Sequence, residues 1–93
     1  DVPPYVLCGR DPLSYAGVNI VGLRRRGFTS DQIRNIKDIY DIVYGGGMNT
    51  TDALARIESG FPPSEERDTI LSFIRGSKRG IIKGNTGSKT DNE

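Results

Sequence analysis

Residues 17–33 read GVNIVGLRRRGFTSDQI. Two helix boundaries meet inside this stretch, and how they are read decides the fold. Asn19 is a residue type that caps helix N-termini, because its side-chain oxygen can accept a backbone N–H left free in the first turn. Gly27 suits the position just past a helix C-terminus, where the backbone turns left-handed. The spacing therefore predicts a short helix over about residues 18–26. Straight after it, Phe28, Thr29, Gln32 and Ile33 fit the N′, N-cap, N3 and N4 positions of a capping box with a hydrophobic staple. A second helix must start there.

Working outward, Ile33, Ile36, Tyr40, Val43 and Tyr44 recur at helical spacing, with Ile39 and Ile42 widening the apolar stripe. Gly45-Gly46-Gly47 ends that helix. A third helix is expected from Asn49 as cap, with Asp52 at N3, Ala53, Leu54 and Ile57 on its apolar face and Gly60 at its end. FPPSEER (61–67) opens a fourth from Pro63 or Ser64, with acids in a first turn that favours negative charge. Ile70, Leu71, Phe73 and Ile74 supply its inner face, and Gly76 or Gly80 ends it.

On the other side, Pro3-Pro4 forbids helix and imposes an extended entry. Tyr5-Val6-Leu7-Cys8 has strand character, and Gly9–Pro12 reads as a turn. Four apolar residues make no sheet alone, so this strand is expected to need a partner from outside the region. The fold class predicted from these elements is all-α, about four short helices behind a strand that lacks its sheet. The organisation expected is 1–16 as strand and linker loop, 17–83 as the helical domain, and 84–93, which contains no apolar residue, as a disordered tail.

Composition narrows the function. The chain has 93 residues, 13 basic and 12 acidic, for a net charge of +1. Such a balance gives no overall attraction to nucleic acid or anionic membrane. No segment approaches the roughly 18 apolar residues of a membrane span, and none has the form of a signal peptide. The single cysteine, Cys8, cannot form an intrachain disulfide, which fits a reducing compartment. There is no histidine. The commonest general base near neutral pH is thus missing, as are a Cys–His nucleophile and a Cys/His metal site. Chemistry, if this polypeptide serves an enzyme, is expected elsewhere, and no cofactor or metal is indicated.

Charge is nevertheless concentrated. Arg24, Arg25 and Arg26 are consecutive, and Arg75, Lys78, Arg79 and Lys83 form a second basic cluster. Arginine presents a rigid fork of donors that matches phosphate oxygens. From spacing alone the triplet is better explained as a solvated helix end whose cations complement the dipole. At most two of three consecutive side chains, about 100° apart, can face one ligand. The second cluster admits the same two readings, nucleic acid or acidic partner against solvated helix end. Gly45–Gly47 lacks the Lys-Ser/Thr of a phosphate loop and reads as a connector. Tyr40 and Tyr44 lie on the apolar stripe, which favours a core role over base stacking. From the residues alone, a small helical nucleic-acid-binding module and a protein-interaction module both remain open.

GVNIVGLRRRGF followed by TSDQIRNIKDIYDIVYGGG, with DVPPYV at 1–6 and SKRGIIK at 77–83, resembles the C-terminal domain of the bacterial acyl-[acyl-carrier-protein]–UDP-N-acetylglucosamine O-acyltransferases. The resemblance covers everything but the tail. It implies a homotrimer whose larger N-terminal part is a left-handed parallel β-helix of hexapeptide repeats, of which residues 1–16 would hold the end and the linker loop. It implies transfer of a (3R)-3-hydroxyacyl group from acyl carrier protein to the 3-hydroxyl of UDP-N-acetylglucosamine. That is the first step of lipid A synthesis, in the cytoplasm of Gram-negative bacteria, with no nucleic acid and no membrane span involved. The family's general base is a histidine of the β-helix, outside this chain. The family's nucleotide-contacting asparagine falls on Asn19, and the last two of its basic triplet fall on Arg25 and Arg26. Where the family often has an acid, this chain has Val21, which cannot accept a hydrogen bond. The loop GRDPLSYA departs from the family's common Gly-Asn-His form, with Pro12 near the histidine position.

Overall fold

Gly27 adopts φ +88°, the left-handed conformation that L side chains resist, and the chain turns there from one helix into the next. A computed structural model describes residues 2–9 and 14–77. Its elements are β1 (Val6–Gly9), β2 (Ser14–Val18), α1 (Ile20–Arg25), α2 (Ser30–Gly45), α3 (Thr50–Gly60) and α4 (Glu65–Gly76). The predicted tail at 84–93 and the tip of the predicted turn after Gly9 lie outside the described residues.

The four predicted helices are present, each opening on a capping side chain. The Gln32 N–H donates to Thr29 Oγ1 (3.1 Å) while the Thr29 N–H donates to Gln32 Oε1 (2.8 Å), completing the capping box. Asn49 accepts from the Asp52 N–H (2.8 Å), and Ser64 from the Arg67 N–H (3.1 Å). Such caps each contribute on the order of 1 kcal/mol.

The prediction of an all-α chain with an unpartnered strand needs correction. β1 pairs antiparallel with β2, Val6 opposite Val18 and Cys8 opposite Tyr15. Between these pairs two residues of β2, Ala16 and Gly17, stand against Leu7 alone in β1, which makes a bulge, and Gly17 within it takes φ +108°. SYAGV escaped prediction because its apolar run is broken by a glycine and it lacks strict alternation. It is the bulge that turns Tyr15 and Val18 toward the core together.

α2 is the central element, packed against α3, α4 and β2. Ile33, Ile36, Ile39 and Tyr40 are buried along it, and Leu23, Ile57, Ile70, Leu71 and Ile74 close around them. Val43, Tyr44, Leu54 and Phe61 seal the edges. Arg75 of α4 pairs with Glu58 of α3 across the surface.

An aromatic seam joins the sheet to α2. Tyr15 stacks on Tyr44 with centroids 4.1 Å apart, and Tyr40 lies beside both. The Tyr40 hydroxyl donates to the Pro4 carbonyl (2.7 Å). Burial pushes the Tyr40, Tyr44 and Tyr15 hydroxyls above the ordinary phenol range, so they stay neutral.

Candidate nucleotide-sugar site on the first helix

α1 is six residues long, too short to persist without anchors. Leu23 is its buried side chain. Its C-terminus is closed by a Schellman motif: the Phe28 N–H donates to the Leu23 carbonyl and the Gly27 N–H to the Arg24 carbonyl, both 3.1 Å. The Phe28 ring then packs on the core, so one residue closes α1 through its N–H and staples the start of α2 through its side chain.

At the other end Asn19 is held twice. Its backbone N–H donates to the Tyr5 carbonyl (2.8 Å), and its Oδ1 accepts from the Gly22 N–H (3.1 Å). Tyr5 itself adopts φ +71°, a strained conformation for a bulky residue. The Tyr5 ring meets the Phe28 ring edge-on at 5.6 Å.

The three arginines are exposed, and among the described residues none of them forms an ion pair. They differ in surroundings. The Arg26 guanidinium lies 5.3 Å from the Phe28 ring centroid, a cation–π contact that leaves its N–H edges free. Arg26 also borders a cavity of about 320 Å³ lined with Tyr5, Phe28, Gln32, Glu65 and Glu66. Glu66 is only 7% exposed and accepts from Asn35 Nδ2 (3.1 Å). Two carboxylates in that cavity disfavour a phosphate inside it, and the exposed outer side of α1 is the better surface for an anion. Helical spacing puts Arg26 on one face with Gly22 and Asn19, Arg25 on the face of Val21, and Arg24 on that of Ile20. Asn19 and the arginines stand at opposite ends of α1, roughly 9 Å apart along its axis. A ligand touching both is elongated and carries negative charge at one end.

Residues 1–82 match the family described as UDP N-acetylglucosamine O-acyltransferase, domain 2. The chain belongs to this family. Over 83 residues it is 40% identical to an acyl-[acyl-carrier-protein]–UDP-N-acetylglucosamine O-acyltransferase of Fusobacterium nucleatum, covering 89% of this chain and 32% of that protein. Its counterpart in Chlorobaculum parvum is 38% identical over 81 residues, 86% of this chain and 31% of the relative. Among solved structures, a UDP-N-acetylglucosamine acyltransferase from Bacteroides fragilis superposes with a TM-score of 0.86 at 52% identity, covering 89% of this chain and 32% of that one. The chain thus spans about one third of the length of these acyltransferases.

Around Asn19 and the arginine triplet, the candidates that the sequence offers, the structure brings Tyr5, Gly22 and Phe28, which the sequence alone does not mark as site residues. Two signals were available: a glycine inside a helix, and an aromatic two residues after an arginine.

Proposed function

We propose that this chain is the C-terminal, nucleotide-sugar-binding and oligomer-contact part of an acyltransferase. That enzyme moves a (3R)-3-hydroxyacyl group from acyl carrier protein to the 3-hydroxyl of UDP-N-acetylglucosamine, the first step of lipid A synthesis in the Gram-negative cytoplasm. The match of residues 1–82 to domain 2 of the family carries the reading. In it, residues 1–16 are the end of a left-handed β-helix and the linker loop, 17–83 form the helical domain, and 84–93 a tail.

Arg25 and Arg26 bind the diphosphate and uridine end of the substrate, and Asn19 donates from its side-chain amide. These contacts hold the sugar hydroxyl toward a base that this histidine-free chain does not contain, which is a positioning effect. Their support is the open, unpaired state of the guanidinium edges and the distance between the two ends of α1. Exposed Val2, Leu7, Ile20 and Val21 support contacts with the rest of a homotrimer.

In the full-length enzyme, Arg25→Ala and Arg26→Ala should each lower kcat/KM roughly 10- to 150-fold, as loss of a charge-assisted contact of ~1.5–3 kcal/mol implies. Most of that should appear in KM for UDP-N-acetylglucosamine. Unchanged KM in both variants would remove these arginines from the site.

A further inference from the structure

We infer that Gly22 is a positioning residue: it keeps room for the Asn19 amide and so leaves that amide's Nδ2 facing the nucleotide sugar. The inference rests on the assignment of Asn19 as a substrate contact. A glycine within a helix is less favourable than alanine by ~1 kcal/mol, and Gly22, unlike Gly17, Gly27 and Gly47, does not have a positive φ to explain it. The three nearest atoms that a Cβ at position 22 would meet all belong to the Asn19 side chain: Nδ2 at 2.6 Å, Cγ at 2.9 Å and Oδ1 at 3.0 Å. The amide lies across the glycine.

The same chain contains the contrasting case. Asn49 also caps a helix by accepting the N3 N–H, and there N3 is Asp52, with a full side chain. The backbone separates the two. Asn49 has ψ 168°, like Thr29 at 163° and Ser64 at 161°, whereas Asn19 has ψ 75°. Its N–H, tied to the Tyr5 carbonyl, belongs to that different geometry, and at this ψ the side chain tips over N3. An ordinary cap needs no glycine at N3; this one does.

Capping uses only Oδ1. Among the described residues no acceptor engages Asn19 Nδ2, so its two hydrogens remain to donate. Residues 19, 22 and 26 share one face of α1. With no side chain at 22, nothing on the middle of that face stands between the Asn19 amide and Arg26. It is this amide, rather than the end of so short a helix, that a sugar or ribose oxygen would meet.

The test is a cycle in the full-length enzyme with Asn19→Ser, Gly22→Ala and the double variant, reading KM for UDP-N-acetylglucosamine, kcat and Tm. Serine offers an oxygen for the cap and lacks Nδ2, the atom nearest a Cβ at 22. Asn19→Ser should raise KM about tenfold, the loss of one hydrogen bond, with Tm unchanged. Gly22→Ala should raise KM to a similar extent. The clashing atoms are the end of a side chain that can swing away, so the variant folds. In the Asn19→Ser background Gly22→Ala should add nothing to KM. If Asn19→Ser raises KM and Gly22→Ala does not, the positioning role is wrong while the Asn19 contact stands. If Gly22→Ala raises KM equally in both backgrounds, it acts other than through Asn19, and the inference is overturned. If Asn19→Ser leaves KM at the wild-type value, the contact itself fails, and its positioning with it.

Discussion

The helical body from α2 to α4 and the first helix with its flanking joints are held by different forces, although only residues 26–29 divide them. The body is an apolar core: nine buried side chains in one cluster, eight of them on α2, α3 and α4. α1 contributes only Leu23 to that cluster. It is held instead by backbone geometry: the Asn19 cap, the Schellman turn at Gly27 and the hydrogen bond to strained Tyr5. The difference teaches how a small domain can keep one helix face bare. Side chains used in packing cannot meet a ligand, whereas α1 is fixed by one buried leucine, the Asn19 Oδ1 cap and main-chain bonds, which leaves the Asn19 Nδ2 and the exposed Arg25 and Arg26 guanidinium groups without ion-pair or hydrogen-bond partners among the described residues.

The contrast predicts where mutations act. Ile36 is fully buried at the centre of α2, and Ile36→Ala should cost about 2–5 kcal/mol through lost burial and the cavity left behind. Thermal unfolding of this domain would show it as the largest drop in Tm of the variants considered. Gly27→Ala should cost about 1–2 kcal/mol, because the left-handed backbone there remains required. Space is not the reason, since a Cβ at Gly27 meets nothing within 4 Å. Unlike Ile36→Ala, it should also raise KM for the nucleotide sugar in the full-length enzyme, since the turn aims Arg25 and Arg26. A Gly27→Ala variant with wild-type stability would break the claim that main-chain geometry anchors α1.

Tyr40 ties the two regions together. Tyr40→Phe removes the hydrogen bond to the Pro4 carbonyl and should cost ~1 kcal/mol by denaturant unfolding. The same hydroxyl sets an alkaline limit. Its pKa is raised in the folded state, chiefly by burial, so the folded chain keeps a proton that the unfolded chain releases near pH ~10. Stability is therefore full below that pH and declines above it, and Tyr40→Phe should blunt the decline.

The helical body was legible in the sequence because capping chemistry and apolar periodicity agree there at every boundary: Thr29 with Gln32, Asn49 with Asp52, Ser64 before the acids. The sheet was not, because β2 gains its place from a bulge at Gly17 and from stacking of Tyr15 on Tyr44, neither of which leaves a local pattern. The candidate site was half legible. A charge triplet and an asparagine are visible in one dimension, but Arg26 over Phe28 is a contact made across the α1–α2 turn, and the Asn19 amide over Gly22 goes with a ψ of 75° at a residue whose N–H is bonded to Tyr5, fourteen residues away.

The smallest expected effect sharpens the comparison most. Arg24 is as exposed and as cationic as its neighbours, and it too lies in the last turn of α1. If the triplet only complements the helix dipole, the three arginines are equivalent, each contributing a few tenths to ~1 kcal/mol to stability. If α1 is a binding face, they differ, because consecutive side chains fan about 100° apart. Arg24 falls on the side of Ile20, an exposed apolar residue suited to protein contact, away from the face shared by Asn19, Gly22 and Arg26. Arg24→Ala should then leave kcat/KM of the full-length enzyme within about twofold, under ~0.5 kcal/mol, while lowering Tm no more than Arg25→Ala does. Equal kinetic losses across all three variants would mean that net charge near α1, not geometry, captures the substrate. Equal losses of Tm with no kinetic loss would return the triplet to a helix-end device.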